Sequence, residues 1–148
     1  MDLHATTDPA ETLRAAGLRV TAQRIAVIEA LRQRSHATAD EVFARVSPSL
    51  PDTSLQAMYV VLSALTGAGI LRRIEPARSA ARYELRIGDN HHHVVCTLCG
   101  AVDDVDCVVG EAPCLVPSPG SGFLVQSAEV TFWGLCPDCR AAEVDAAP

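Results

Sequence analysis

Apolar positions in the first 85 residues recur at helical spacing and then switch to the short, alternating runs of strands. Glu11 to Ala16 reads as a short helix that Gly17 ends. Thr21 is placed to cap a helix that turns Ile25, Val27, Ile28 and Leu31 inward. Ala39 to Val46 is a second core helix, and Thr38 with Glu41 three residues later fits a capping box. Ser47 to Asp52 is a turn, since two prolines in four positions break any helix. Asp52 or Thr53 then caps a helix from about Ser54 to Leu65. Its buried stripe is Leu55, Met58, Leu62 and Leu65, and Gln56, Tyr59, Val60 and Ser63 lie on or beside the outer face. Gly67-Ala-Gly69 closes it. Ile70–Ile74 and Ala81–Leu85 read as two strands joined by a turn through Pro76, Arg78 and Ser79. Three core helices followed by a hairpin is the order of a winged helix-turn-helix, whose last helix enters the DNA major groove. The same pattern also fits a small helical bundle of another role.

From His91 onward the period is that of strands. His91–Cys96 and Ala101–Asp106 flank a knuckle-like turn, Cys96-Thr-Leu-Cys-Gly100. Cys107 to Gly122 is irregular, with Pro113, Pro117 and Pro119, and has room for one short helix at most. Phe123 to Trp133 forms a long, bent strand leading into Cys136-Pro-Asp-Cys139, and Arg140 to Val144 a last helical turn. The fold class is therefore α+β: an N-terminal winged helix over 1–86, a hinge at 87–90 and a small α/β domain over 91–148. A domain of this size usually needs a staple.

Composition changes this picture in two respects. The formal net charge of −6 is unevenly spread. Residues 1–88 hold eleven Arg against nine acids, and residues 89–148 one Arg against nine acids. The first half suits phosphates and the second suits cations. No apolar run is long enough to span a membrane and no secretion signal opens the chain, so a cytoplasmic location is expected. In a reducing compartment six cysteines are more readily ligands or redox thiols than a disulfide scaffold.

Cys96, Cys99, Cys136 and Cys139 form two Cys-x-x-Cys pairs, the donor set of a closed, structural zinc site. Two disulfides or two redox dithiols are the competing reading. The three histidines beside the first pair mark a second centre. On an extended strand His91 and His93 share one face, while His92, Val94 and Cys96 share the other. Glu84 and either Asp104 or Asp106 are the carboxylates placed to complete a site for iron(II), manganese(II) or zinc. His92 reads as a polar neighbour and His4 as solvated tail.

The chain resembles the ferric uptake regulator (Fur) family over nearly its full length. The resemblance rests on Gly17-Leu-Arg-Val-Thr-x-x-Arg24, His36-Ala-Thr-Ala-Asp-Glu41, Tyr59, Ala81-Arg-Tyr-Glu-Leu85, His91-His-His-x-x-Cys-x-x-Cys-Gly100 and Cys136-x-x-Cys139. It implies a homodimer that binds double-stranded operator DNA, with a C-terminal dimerisation domain and a structural Zn2+ on the four thiolates. It also implies a regulatory Fe2+ or Mn2+ held by His36, Glu84, His91, His93 and Asp104. The implied DNA-facing residues are Arg19, Thr53, Ser54, Gln56, Tyr59 and Val60. Metal and operator would favour one conformer and so tighten each other's binding.

Within the family, the peroxide-sensing branch has Asp five residues after the second knuckle cysteine where iron-uptake repressors usually have Glu. Asp104 stands there. The resemblance thus implies a peroxide-responsive repressor released when a ligating histidine, His36 or His91, is oxidised. Asp106 to Cys114 further resembles a subgroup that controls catalase-peroxidase genes. Departures accompany these matches. Ser127-Ala-Glu129 lacks the histidine of a further dimer-domain metal site, so none is expected. Gln56-Ala-Met-Tyr-Val60 is an unusual reading segment. Alternatives are an iron- or zinc-responsive repressor without peroxide sensing, and a thiol-based repressor using Cys107 and Cys114. A zinc hydrolase or deaminase lacks the His-x-Glu it would need, and a metal-stapled interaction module without DNA binding is the remaining class.

Overall fold

The computed structural model describes residues 8–77, 79–85, 91–106, 122–124 and 130–145; of His91, Asp106, Val144 and Asp145 it describes the backbone alone. The turn residue Arg78, the expected hinge at 87–90, the irregular stretch with Cys107 and Cys114, and Ser127–Glu129 all lie outside the described residues. The chain divides into two compact units, Met1–Gly88 and Asp89–Pro148.

In the first unit, α1 (Pro9–Ala15) starts two residues earlier than its apolar pattern implies. Asp8 accepts a hydrogen bond from the Ala10 amide, and Pro9 occupies a first-turn position that requires no amide hydrogen. Helix α2 (Ala22–Gln33) is capped by Thr21, and α3 (Ala39–Val46) by a complete Thr38–Glu41 capping box. Helix α4 (Leu55–Gly67) is capped by Ser54, not by Asp52 or Thr53, because the Ser54 hydroxyl is the one that reaches the Ala57 amide, at 3.1 Å. Gly69 at φ 75 reverses the chain after α4, a conformation that strains any residue with a Cβ.

The core is built from the inward faces of these helices. Leu13, Val27, Ile28, Leu31, Val42, Val46, Met58, Leu62 and Leu65 are all buried. Val61 joins them, while Leu55 and Ile25 are only partly covered. Two strands close the unit, β2 (Leu71–Ile74) and β3 (Arg82–Leu85), and a third that the pattern does not announce, β1 (Ala37–Thr38), pairs with the other edge of β3. A two-residue strand carries no period to read. All pairings in this β1-β3-β2 sheet are antiparallel.

In the second unit, β4 (His91–Cys96) is the central strand of a sheet ordered β5-β4-β6. It runs antiparallel to β5 (Val102–Asp106) and parallel to β6 (Thr131–Gly134). The long strand expected from Phe123 is corrected: Gly122–Leu124 is not strand, and strand begins at Thr131. The last helix, α5 (Pro137–Asp145), exceeds the single turn expected from Arg140. Pro137 takes the first helical position, where no amide hydrogen is required.

Candidate metal centres and DNA-reading face

Because β4 and β6 are parallel neighbours, their C-terminal ends lie side by side, with Cys96 registered to Gly134. Each end runs directly into a cysteine pair. Gly100 donates its amide to the Cys96 carbonyl at 3.0 Å, closing the first knuckle. Thr97 donates its amide to the Gly134 carbonyl at 2.8 Å, tying that knuckle to the second. Cys136 stands just before α5, and its Sγ accepts from the Cys139 amide at 3.4 Å, as a capping side chain does. The four sulfurs lie within 4.8 Å of one another, and Cys99 Sγ and Cys136 Sγ are 3.7 Å apart. A tetrahedral zinc with bonds of about 2.3 Å separates its sulfurs by about 3.8 Å.

The electrostatics of the sulfurs also call for a cation. Amide hydrogen bonds from Cys99 and Cys136 lower the Cys96 thiol to about 6. Hydrogen bonding to the Cys136 and Cys99 sulfurs pushes Cys139 up to about 12. Cys99 is raised as well, because the Cys96 and Cys136 sulfurs outweigh the lowering hydrogen bond from the Ala101 amide. Ionising one sulfur thus opposes ionising the next, and a divalent cation removes that conflict. All four cysteines are free thiols, so the donor set fits a structural zinc site.

The other candidate ligands form one imidazole–carboxylate pair in each unit. In the first, His36 Nε2 lies 2.9 Å from Glu84 Oε2. The pair is ionic when the imidazole is protonated. Glu84 is only 2% exposed, and its register partner Arg72 brings a guanidinium to 3.9 Å from Oε1. In the second, His93 and Asp104 face each other across β4 and β5, with Nε2 3.5 Å from Oδ1. His93 is buried and Asp104 exposed at the rim. His91 is registered to Asp106 two positions along the same ladder, but both side chains lie outside the described residues. His92 is buried beside Phe132, ring centroids 6.3 Å apart and edge to face. Imidazole with carboxylate suits iron(II) or manganese(II). Sequence reasoning missed Arg72 and Arg82, the cationic partners of this chemistry.

On α4, Gln56, Tyr59 and Val60 are exposed, Val60 at 62%. Val60 thus stands open on the side of α4 away from the buried Met58, Leu62 and Leu65. Arg19 is exposed ahead of α2, and its carbonyl accepts from Arg24 Nη1 at 2.7 Å. Thr53 Oγ1 accepts from Gln23 Nε2 at 3.3 Å, and the Ser54 hydroxyl is the cap, so both carry local duties. Among the described residues no helix is long and apolar enough to cross a membrane.

The family model described as the ferric uptake regulator family matches residues 15–111. The transcriptional regulator FurA of Mycobacterium tuberculosis is 57% identical over 136 residues, covering 92% of each chain. The peroxide-responsive repressor PerR of Staphylococcus saprophyticus is 30% identical over 138 residues, covering 93% of each. The crystal structure of the Vibrio cholerae ferric uptake regulator superposes with a TM-score of 0.68 at 23% identity, covering 87% of this chain and 100% of that one. These matches remove the hydrolase and deaminase readings. The chain belongs to the ferric uptake regulator family, and it is a metal-responsive transcriptional regulator, not an enzyme.

Proposed function

We propose that this regulator is a peroxide-responsive repressor that binds operator DNA as a homodimer while its regulatory metal is in place. The carrying observation is Asp104, opposite His93 at the position where the peroxide-sensing branch has Asp. A relative named as a peroxide-responsive repressor, 30% identical over 93% of the chain, supports it. In this reading Cys96, Cys99, Cys136 and Cys139 hold Zn2+, and His36, Glu84, His91, His93 and Asp104 hold Fe2+ or Mn2+. Arg19, Thr53, Ser54, Gln56, Tyr59 and Val60 face DNA.

Bound iron(II) would supply the electron that turns hydrogen peroxide into a local oxidant. The chain's own part is to offer that oxidant an imidazole, His36 or His91, whose oxidised ring donates poorly and lets the operator go. Half-exposed Phe132 and Trp133 and the open side chains of Phe123 and Leu124 supply apolar area that a second copy would cover.

The test is peroxide treatment of the iron-loaded and the manganese-loaded protein, followed by peptide mass analysis. One added oxygen on a His36 or His91 peptide, in the iron form alone, is the expected result. Unmodified histidines with a Cys107–Cys114 disulfide would replace this mechanism by a thiol switch. Operator binding driven by metal but indifferent to peroxide would leave a plain iron- or zinc-responsive repressor.

A further inference from the structure

His36 is the one residue other than glycine with positive φ among the described residues, at 58. The left-handed region is tolerated by histidine better than by most side chains, but it persists where surrounding contacts impose it. Two of the contacts on His36 come from a single strand. On β3, Arg82 and Glu84 are two positions apart and so share a face, while Tyr83 between them turns into the core. Glu84 meets the His36 imidazole at 2.9 Å, and Arg82 donates from Nη1 to the His36 carbonyl at 3.0 Å.

Arg82 is itself fixed. It stands opposite Thr38 in the β1–β3 ladder, and its Nη1 lies 3.6 Å from Glu41 Oε2. That carboxylate also accepts from the Thr38 amide at 2.8 Å, and its other oxygen lies 3.4 Å from Arg34. Its pKa is held below the ordinary value: burial opposes this, but the Thr38 amide and the Arg34 and Arg82 charges prevail. The capping box of α3 thus anchors the guanidinium that fixes the His36 backbone.

We propose that Arg82 is the positioning residue of the regulatory metal site, holding His36 in its left-handed conformation so that the imidazole stays beside Glu84. It touches no metal itself. This inference rests on the reading of His36 as a ligand. A partner that orients a ligand typically changes metal affinity by about 10- to 100-fold when lost.

The experiment uses the full-length, zinc-loaded protein and titrates Mn2+ as the probe. Arg82→Met, which keeps an unbranched apolar stem and loses every donor, should weaken Mn2+ binding by about 10-fold or more at unchanged zinc content. Arg82→Lys, which retains a cationic donor, should recover part of the loss. His36→Ala should abolish binding. In the metal-free state, the Arg82→Met backbone chemical shifts of His36 should leave the left-handed range, with those of α4 in place. Wild-type affinity in Arg82→Met beside loss in His36→Ala overturns the role of Arg82 alone. Wild-type affinity in His36→Ala overturns the ligand reading instead. Unmoved His36 shifts in Arg82→Met overturn the positioning claim whatever the metal does.

Discussion

Cys96 and Gly134 are register partners at the common C-terminal end of the parallel strands β4 and β6. Neither cysteine pair supplies the four-thiolate set alone, and the 36 residues between Cys99 and Cys136 must be closed to bring the pairs together. Closing a loop of that length costs roughly 3 kcal/mol in chain entropy. Zinc binding offsets this cost.

Cys139→Ser should therefore lose zinc and unfold the second unit while leaving the first folded. Trp133, the sole tryptophan, lies in β6 and reports on that unit. Its emission should shift to the red on zinc loss, with most far-ultraviolet helical signal retained by α1 to α4. Loss of all helical signal would show that the first unit cannot stand alone.

The capping box gives the first unit a pH dependence of known sign. The Glu41 carboxyl is held below its ordinary value in the folded state, since the Thr38 amide and the Arg34 and Arg82 charges outweigh burial. A depressed acid stabilises the fold at pH above its unfolded value, and that contribution disappears as pH falls through the folded value. Glu41→Gln should lower the melting temperature at pH 7 and narrow the difference between pH 7 and pH 3. Measured as thermal melts at both pH values, an undiminished difference in the variant would assign the acid sensitivity to another carboxylate.

Tyr59 and Val60 sit on the exposed face of α4 and make no part of the core. Replacing either with Ala should cost about 1–3 kcal/mol of operator affinity at a base-contacting position, without a change in melting temperature. Arg19→Ala should instead lower the slope of log affinity against log salt by about one. Fluorescence anisotropy over a salt series distinguishes the two behaviours, and unchanged affinity in Tyr59→Ala and Val60→Ala would move the DNA contact off this face.

Asp104→Glu lengthens the carboxylate opposite His93 by one methylene. The variant should keep manganese-dependent operator binding and gain the modified-histidine peptide about tenfold more slowly under peroxide, equal to about 1.4 kcal/mol in barrier. Equal rates of histidine oxidation in both proteins would remove Asp104 from the sensing step.

The thiol centre was legible in the sequence because both halves of its donor set are local, three residues apart and flanked by strand-like runs. The core helices were legible through their apolar stripes, and α2 and α3 through their caps as well, whereas the cap of α4 falls at Ser54, one or two residues later than expected. What escaped is what pairing creates. β1 is too short to show a period, and the registers that set Arg72 opposite Glu84 and Arg82 opposite Thr38 depend on turns rather than on composition. The left-handed backbone of His36 left no mark in the sequence, since histidine there replaces the glycine that such a conformation usually announces.

Glu84 is a buried carboxylate that already has a resident cation in Arg72. Burying such a charge unpaired would cost several kcal/mol, and the guanidinium spares the unit that cost before any metal arrives. The unit that carries α4 therefore has this charge paired without a metal. If Glu84 is a metal ligand as proposed, an incoming metal competes with this internal counter-ion for one carboxylate instead of building the unit around itself. A regulator made this way is adjusted by concentration, like a balance with a fixed weight already on one pan.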